Sequence, residues 1–273
     1  MATDNTFNLS TAATEKYEIQ KVPAVFAPLA AATLDAIPLQ ETVRALDVAC
    51  GTGVIPKLLS KRLTKKSRVV GTDLNPAMVE VARSTMPESI HDLEWFSCDV
   101  TDLPFDADDF DIAFCQQGLQ FFPDKAAALE EIRRVLAPGG RLVLTCWSMV
   151  SPLFQAVSDS LSRRVSEEAA KKAVAPFSFR DGAVIASLLV DAGFRVSKKS
   201  RLMVHRPLTP ARHAIRQEIL ASPYETDLLD KGDATIDSVV ADVDEALEQY
   251  REEESLIVPQ EAHLFEAQKT TSM

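Results

Sequence analysis

An α/β fold with a mostly parallel, doubly wound central sheet is the architecture this chain predicts, and three observations carry the prediction. Strand-length apolar runs alternate with helix-length patterns through residues 43–147. The first run enters a small turn, Asp47-Val48-Ala49-Cys50-Gly51-Thr52-Gly53, and a helical pattern follows at once. The second and third runs each end in a carboxylate, at Asp73 and Asp99. Such alternation builds parallel strands joined by helical crossovers, and ligands of these sheets bind outside the carboxyl ends of the strands.

The first strand starts at Val43 and carries Asp47 near its end. Gly51 and Gly53 lack Cβ atoms, so the backbone can turn tightly there and approach a ligand closely. A helix with Val54, Ile55, Leu58 and Leu59 on one stripe follows, and its first N–H groups face whatever lies above the strand ends. The turn departs from the dinucleotide pattern G-x-G-x-x-G in two ways: Ala49 stands where the first glycine would be, and Asp47 sits inside the strand end. The second strand, Arg68–Asp73, places an acid twenty positions after Gly53, where a carboxylate can accept both hydroxyls of a ribose. Asn75 then reads as an N-cap, with Pro76 at the first helical position.

The third strand is Leu93–Val100 and the fourth starts at Phe110, running through Cys115, Gln116 and Gln117. Asp124 opens a helix over Lys125–Leu136 with Ala128, Leu129, Ile132, Val135 and Leu136 as its apolar stripe. Ala137-Pro138-Gly139-Gly140 stops it, and Arg141–Trp147 is the fifth strand. Beyond Trp147 the strand–helix beat is lost. A helix from Ser151 to about Lys172, a second from Asp181, a strand over Arg195–Arg206, helical material from Pro207 to Glu254 and a last strand over Val258–Gln268 complete the chain. Residues 1–10 and 269–273 read as frayed ends.

Asp47-Val48-Ala49-Cys50-Gly51-Thr52-Gly53 resembles the first motif of class I S-adenosylmethionine (SAM) methyltransferases. The run Arg133-Arg134-Val135-Leu136-Ala137-Pro138-Gly139-Gly140-Arg141-Leu142 resembles the matching segment of the small-molecule members, in particular the ubiquinone/menaquinone-biosynthesis C-methyltransferases. Tyr17-Glu18 and Val25–Ala30 resemble their amino-terminal lid. The resemblance implies a Rossmann-like, seven-stranded, mostly parallel sheet of order 3-2-1-4-5-7-6 with an added helical cap. Residues 1–273 would form a single domain, with lid helices over residues 12–36 and a cap, residues 207–254, inserted between the last two strands. Lid and cap together would roof the carboxyl end of the sheet.

SAM is the cofactor so implied. Asp47, Ala49, Gly51, Thr52 and Gly53 would bind it, the two glycines against its methionine part, and Asp73 would hold its ribose. Leu74, Met78, Asp99 and Val100 would bind it too, with Met78 toward the adenine and Asp99 suited to the adenine amino group. Gln116 would approach from the fourth strand, while Tyr17 and Trp147 would wall the sulfonium through cation–π attraction.

Composition limits the function. With 273 residues, 46% of them hydrophobic, the chain can bury one sizeable core. No window reaches the ~18 apolar residues of a membrane span, and no apolar run follows a basic amino-terminal stretch. Neither span nor signal peptide is expected, and the location expected is cytoplasmic. Cys50, Cys98, Cys115 and Cys146 fall at strand ends in no zinc spacing, so no metal site is expected; they read as small core residues, with a thiol-lined metalloid pocket as the alternative. Net charge is −11, and residues 225–254 alone hold twelve Asp or Glu against Lys231 and Arg251. A nucleic-acid enzyme would show a basic footprint instead. In the acidic segment Ile236, Val239, Val240, Val243, Ala246, Leu247 and Tyr250 share one helical face, which leaves the carboxylates as a solvated outer face or as a lure for cationic acceptors.

A sulfonium methyl is already activated, so a base is needed only where the acceptor must lose a proton. Gln117, Gln120 and His205 are candidates to orient the acceptor; glutamine orients by hydrogen bonds and cannot act as a base. His213 and His263 read as surface or satisfied residues, as does His91, and no base can be named. The expected activity is methyl transfer to O or C of an aromatic, quinone-like or polyketide-like small molecule. The alternatives are an N- or S-methyltransferase for a small amine or thiol, and a non-catalytic SAM-binding partner subunit. Homodimerisation is left open.

Overall fold

The computed structural model describes residues 9–86 and 93–270. Its strands are β1 (Arg44–Val48), β2 (Arg68–Asp73), β3 (Leu93–Ser97), β4 (Phe110–Gln116), β5 (Leu136–Trp147), β6 (Phe194–Leu208), β7 (Arg251–Glu252) and β8 (Ser255–Lys269). They form one sheet in the order β3-β2-β1-β4-β5-β8-β6, with β7 paired to β8 off this path. All neighbours from β3 to β5 run parallel. With β8 as the seventh long strand this is the expected order. The eighth strand, β7, exists because Glu253 adopts φ 53° and folds Arg251-Glu252 back onto Ser255-Leu256.

Two compact units can be distinguished. The first holds the residues up to Cys146, Asp181–Leu202 and those from Ala262 onward; the second holds Trp147–Arg180 and Met203–Glu261. In the first, Ala45, Ile112, Phe114 and Val143 of the sheet bury against Ile55 and Leu59 of the helix Val54–Arg62 and against Ala30 and Leu34. Strands covered on both faces read as continuous apolar runs, which is why β1, β2 and β4 were legible as strands. Asn75 caps the helix Pro76–Ser84 as expected: its side-chain oxygen accepts from Ala77 N at 2.9 Å, and Pro76 fills the first turn. Asp124 does the same for Lys125–Val135 through Ala127 N.

The second unit has its own core, built by Leu153, Val157, Leu161, Ile215, Ile236 and Val243 among others. Here the structure corrects three expectations. The helix expected to run from Ser151 to about Lys172 is two helices, Pro152–Arg164 and Glu167–Val174. Val165 leaves the helical region (φ −122°, ψ −78°), and Ser166 caps the next helix by accepting from Ala169 N. In the acidic helix Asp233–Ala246, Ile236, Val239, Val240 and Val243 are buried, but Ala246 is exposed because the helix ends there. Its carboxylates are more than a solvated face. Asp242 pairs with Arg163 and Arg164 and accepts from Ser160, Asp244 pairs with Arg251, and Arg216 spans Asp233 and Asp237.

Ser10 caps the first helix, Thr11–Lys21, and Lys269 ends β8 with its ammonium on Asp108, so these two expected frayed positions are ordered. Leu9 accepts from Asn75 and Thr270 donates to Gly193 O, so these expected end residues are bonded too; residues 1–8 and 271–273, and His91, lie outside the described residues. Among the described residues no single helix is long and apolar enough to cross a membrane.

Candidate functional site

Beyond Val48 the chain turns through three left-handed residues, Ala49 (φ 54°), Gly51 (φ 55°) and Gly53 (φ 83°), before the helix Val54–Arg62 begins. Only glycine adopts this region without a penalty, so Ala49 carries a cost of roughly 1–2 kcal/mol. The loop is pinned to β2 by Cys50 N donating to Thr72 O at 2.9 Å and closed by Gly53 N donating to Cys50 O at 2.9 Å.

The two glycines serve different ends. A Cβ on Gly53 would lie 2.3 Å from the Trp95 indole, and one on Gly71 of β2 would lie 2.5 Å from it. Trp95, on β3, thus packs into the slot that these glycines leave, and the missing Gly53 side chain is accounted for inside the protein. A Cβ on Gly51 would meet no protein atom within 4 Å. The open space is at Gly51.

Asp73 ends β2 with both carboxylate oxygens engaged by the backbone. Gly51 N donates to Oδ2 at 2.8 Å and Asn75 N to Oδ1 at 2.9 Å. The carboxylate therefore ties the first-motif loop to the start of the next helix. Burial raises its pKa, while these two hydrogen bonds oppose the rise.

A cleft opens above this loop, lined by Asp47, Ala49, Gly51, Thr52, Gln116 and Tyr17, six of the twelve residues expected to bind cofactor. Asp47 is 2% exposed, and its Oδ1 meets no hydrogen-bond donor among the described residues. Gln116 donates from Nε2 to Phe26 O at 3.2 Å, which leaves its buried Oε1 without a donor as well. Burial pushes Asp47 well above the usual carboxylate range and raises the Tyr17 phenol and the Cys50 thiol; the Asp73 charge adds to all three.

The cleft also holds five residues that sequence reasoning missed: Val22, Phe26, Cys50, Val54 and Ile55. Val22 and Phe26 bound a π-helical turn, Val22–Phe26, between the helices Thr11–Lys21 and Ala27–Asp35, and the Phe26 ring lies 5.3 Å from that of Tyr17. Pro23 was the available signal, since a proline in a helical run removes a ladder donor and displaces the register.

Other expected residues do not line this cleft. Gly53, Asp73, Leu74, Met78, Asp99 and Val100 are not among the cleft's lining residues. Leu74 is 53% exposed beside Asp73, whereas Met78 is buried in the core. Asp99 is exposed and accepts from both the backbone and the hydroxyl of Thr101. Gln117 (φ 57°) and Gln120 are buried, each with an Oε1 that lacks a donor; Gln117 Nε2 donates to Thr145 Oγ1. His205 and His213 are exposed, and His263 is buried against Phe265. Trp147 is buried with its ring 5.9 Å from that of Phe177. Cys50, Cys115 and Cys146 are buried and Cys98 is half-buried. Among the described residues, no group of three or more His, Cys, Asp or Glu could hold a metal ion.

Comparison with known proteins agrees with this geometry. A methyltransferase domain family matches residues 46–144, the stretch that contains the loop, β2 and β4. The chain is 33% identical over 172 residues to the 2-phytyl-1,4-naphtoquinone methyltransferase of Synechococcus elongatus, covering 58% of this chain and 74% of that protein. It is 35% identical over 167 residues to an uncharacterised 37.1 kDa protein of transposon TN4556 from Streptomyces fradiae; here it covers 60% of this chain and spans only 46% of that relative. The fold also matches phosphoethanolamine N-methyltransferase 2 of Haemonchus contortus, crystallised with S-adenosylhomocysteine, at TM-score 0.60 and 20% identity over 96% of this chain and 58% of that one.

The residues present fit SAM on their own chemistry. Two buried acceptors without donors, one of them a carboxyl group, suit a cationic amino-acid moiety, and the open space at Gly51 leaves room for it beside the loop. With this loop, this sheet and these relatives, the chain belongs to the class I S-adenosylmethionine-dependent methyltransferases.

Proposed function

We propose that this protein methylates a carbon or oxygen of a hydroxylated aromatic, quinone-like small molecule. The observation that carries the reading is the lining of the cleft, where Val22, Phe26, Val54 and Ile55 present apolar surface and no described lining residue is a histidine or a lysine. Its titratable lining groups, Tyr17, Asp47 and Cys50, are all pushed toward their protonated forms, so none is poised as a general base. The acceptor must then bring its own electron pair. A hydroquinone or phenol does so once its hydroxyl proton has passed to solvent, which makes the oxygen nucleophilic and enriches the adjacent ring carbons; amines and thiols also carry an electron pair, and the quinone-related relative favours the aromatic over them.

SAM, when bound, supplies a methyl group on a positively charged sulfur. The chain's residues bind and orient: Asp47 and Gln116 offer buried acceptors, Asp73 braces the loop through Gly51 N, and the π turn with Tyr17 narrows the cleft. Holding two reactants in line is itself a large contribution to rate. The quinone-related activity named for the Synechococcus relative supports the same acceptor class. A cationic acceptor finds less support, because Asp242 and Asp244 of the acidic helix are already matched by arginines.

The test is turnover of methyl-deuterated SAM against hydroquinones, naphthoquinols, simple phenols, amines and thiols, with products identified by mass spectrometry and the methylated atom by NMR. Methylated hydroxyaromatics are expected. Turnover confined to amines or thiols would overturn the acceptor class. Cofactor binding without turnover on any acceptor would favour the non-catalytic subunit instead.

A further inference from the structure

The core of the second unit buries an ion pair. Arg206 of β6 meets Glu218 of the helix Ala211–Ile219 through Nη2 and Oε2, with the two side chains only 6% and 5% exposed. Desolvation offsets most of the attraction in such a pair, so stability alone does not account for it. Three more polar atoms lie buried in this unit without a hydrogen-bond partner among the described residues: Arg206 Nε, Tyr224 Oη and Gln260 Oε1. Their residues are all 5% exposed or less. Buried polar atoms are seldom left unbonded, and three in one core call for an explanation.

Val204, Arg206 and Leu208 alternate as the buried side of β6, and Leu256, Val258 and Gln260 as that of its neighbour β8. Leu208, Leu256, Val258 and Tyr224 belong to one core, so Arg206 and Gln260 enter it from adjacent strands. Tyr224 follows the Glu218 helix and lies near enough for the charges of both Glu218 and Arg206 to act on its phenol. The Arg206 guanidinium stands 5.9 Å from the centre of the Phe154 ring, which packs on the same core. Phe154 is half-buried, so this aromatic wall reaches toward solvent. Phe177 and Trp147 continue it, the Phe177 ring lying 5.2 Å from that of Phe154 and 5.9 Å from that of Trp147.

Glu218 matches the charge of the guanidinium, so what is left over is polar and uncharged. Arg206 Nε and the Tyr224 hydroxyl can donate, and Gln260 Oε1 can only accept. A group that serves both kinds must accept and donate at once, which a hydroxyl does. An ether or ketone only accepts, an ammonium only donates, and a carboxylate would bring a second negative charge beside Glu218. We propose that the second unit binds a hydroxylated aromatic molecule at this cluster. Its hydroxyl oxygen accepts from Arg206 Nε and Tyr224 Oη and donates to Gln260 Oε1, and its ring packs against Phe154. Glu218 is then a positioning residue, which holds the guanidinium by Nη2 and leaves Nε to the ligand. No covalent bond changes. The ligand class is that of the acceptor proposed above, but the inference is argued from this core alone and does not rest on that reading.

Equilibrium dialysis of radiolabelled 1-naphthol against the full chain, without SAM, tests it, with 1-methoxynaphthalene and 1-naphthoate as competitors. Naphthol should bind saturably and about tenfold more tightly than its methyl ether, which cannot donate, and naphthoate should compete poorly. Tyr224→Phe removes only a hydroxyl and should weaken naphthol about tenfold. Gln260→Leu should bring naphthol and its methyl ether to the same affinity. Arg206→Lys keeps a charge for Glu218 but has no Nε–H, and should weaken naphthol too; if it fails to fold, the other two variants decide. Equal affinity for naphthol and its ether in the unmodified protein would overturn the inference, as would the absence of saturable binding. Unchanged naphthol affinity in both Tyr224→Phe and Gln260→Leu would also overturn it and leave the cluster to an ordered water. Failure of the acceptor reading would look different: naphthol bound with these dependences, but no methylated hydroxyaromatic formed.

Discussion

Ala49 and Gly118 divide a single side-chain volume: a Cβ on Gly118 would lie 2.7 Å from the Cβ of Ala49. The methyl that Ala49 carries, where the dinucleotide pattern has glycine, is therefore accommodated by a glycine just beyond β4. Gly118→Ala should destabilise the protein by about 1–3 kcal/mol through overpacking. Ala49→Gly should rescue part of that loss in the double variant, and it relieves a left-handed alanine as well. Rescue should be partial, because Cys115 Sγ lies 3.0 Å from the same Cβ position. Urea unfolding of the four proteins as a double-mutant cycle measures the coupling; additive effects would show that the two residues do not share the space.

Gly51 and Gly53 should separate binding from stability. Gly53→Ala drives a methyl into Trp95 and should lower stability by roughly 2–4 kcal/mol, combining overpacking with a left-handed alanine. Gly51→Ala meets no protein atom, so its stability cost is the backbone term alone, about 1–2 kcal/mol. Its main effect is on the ligand, with SAM affinity falling more than about tenfold. Parallel unfolding and calorimetric titrations check this, and the reverse ranking would place the ligand at Gly53.

Asp73→Ala should weaken SAM binding by roughly a hundredfold, the scale of losing charge-assisted hydrogen bonds worth on the order of 2–4 kcal/mol. It also strands Gly51 N and Asn75 N, so some loss of stability accompanies the loss of affinity. Asp73→Asn keeps one acceptor oxygen and should retain more stability than affinity. Unchanged affinity in a folded Asp73→Ala protein would remove Asp73 from cofactor recognition.

The acidic helix carries a pH signature. Hydrogen bonds from Arg164, Ser160 and Arg163 hold Asp242 well below the usual carboxylate range. A depressed native pKa adds stability above the unfolded value of about 3.9, and that stability is lost as pH falls toward the native value. Asp242→Asn should therefore lower the urea midpoint at about pH 7, and the gap to the unmodified protein should narrow only as pH falls below about 4 and on through the depressed native value. Asp233→Asn should do less at neutral pH, since its side chain is 85% exposed against 19% for Asp242. Equal effects of the two variants would return the whole face to solvent.

Val243 tests the apolar side of the same helix. Its side chain is fully buried, and Val243→Asp places an unpaired charge in the core of the second unit, at a cost on the order of 3–5 kcal/mol. Urea unfolding should show a loss of that size, and an unchanged midpoint would show that this face of the helix is not packed in that core.

Local order carried most of the fold. Strand–helix alternation, the turn at Gly51 and Gly53 and the Asn75 and Asp124 caps depend on neighbours in the chain, so the sequence alone determined the strands and helices up to Trp147 and the position of the first-motif loop, while the strand order was legible only through the family resemblance. What distant segments do to one another was decided only in three dimensions. Gly51 and Gly53 look alike in sequence, and only Trp95, brought alongside by β3, separates open space from packing. The carboxylates of residues 233–248 read as a solvated face until arginines at 163, 164, 216 and 251 arrived from elsewhere in the chain. Asp47 and Gln116 became a pair of buried acceptors because β1 and β4, far apart in sequence, lie side by side, and because the π turn at Phe26 fixes the amide. Burial and hydrogen-bond partnership depend on contacts between residues remote in sequence, and residue type and spacing carry no record of them.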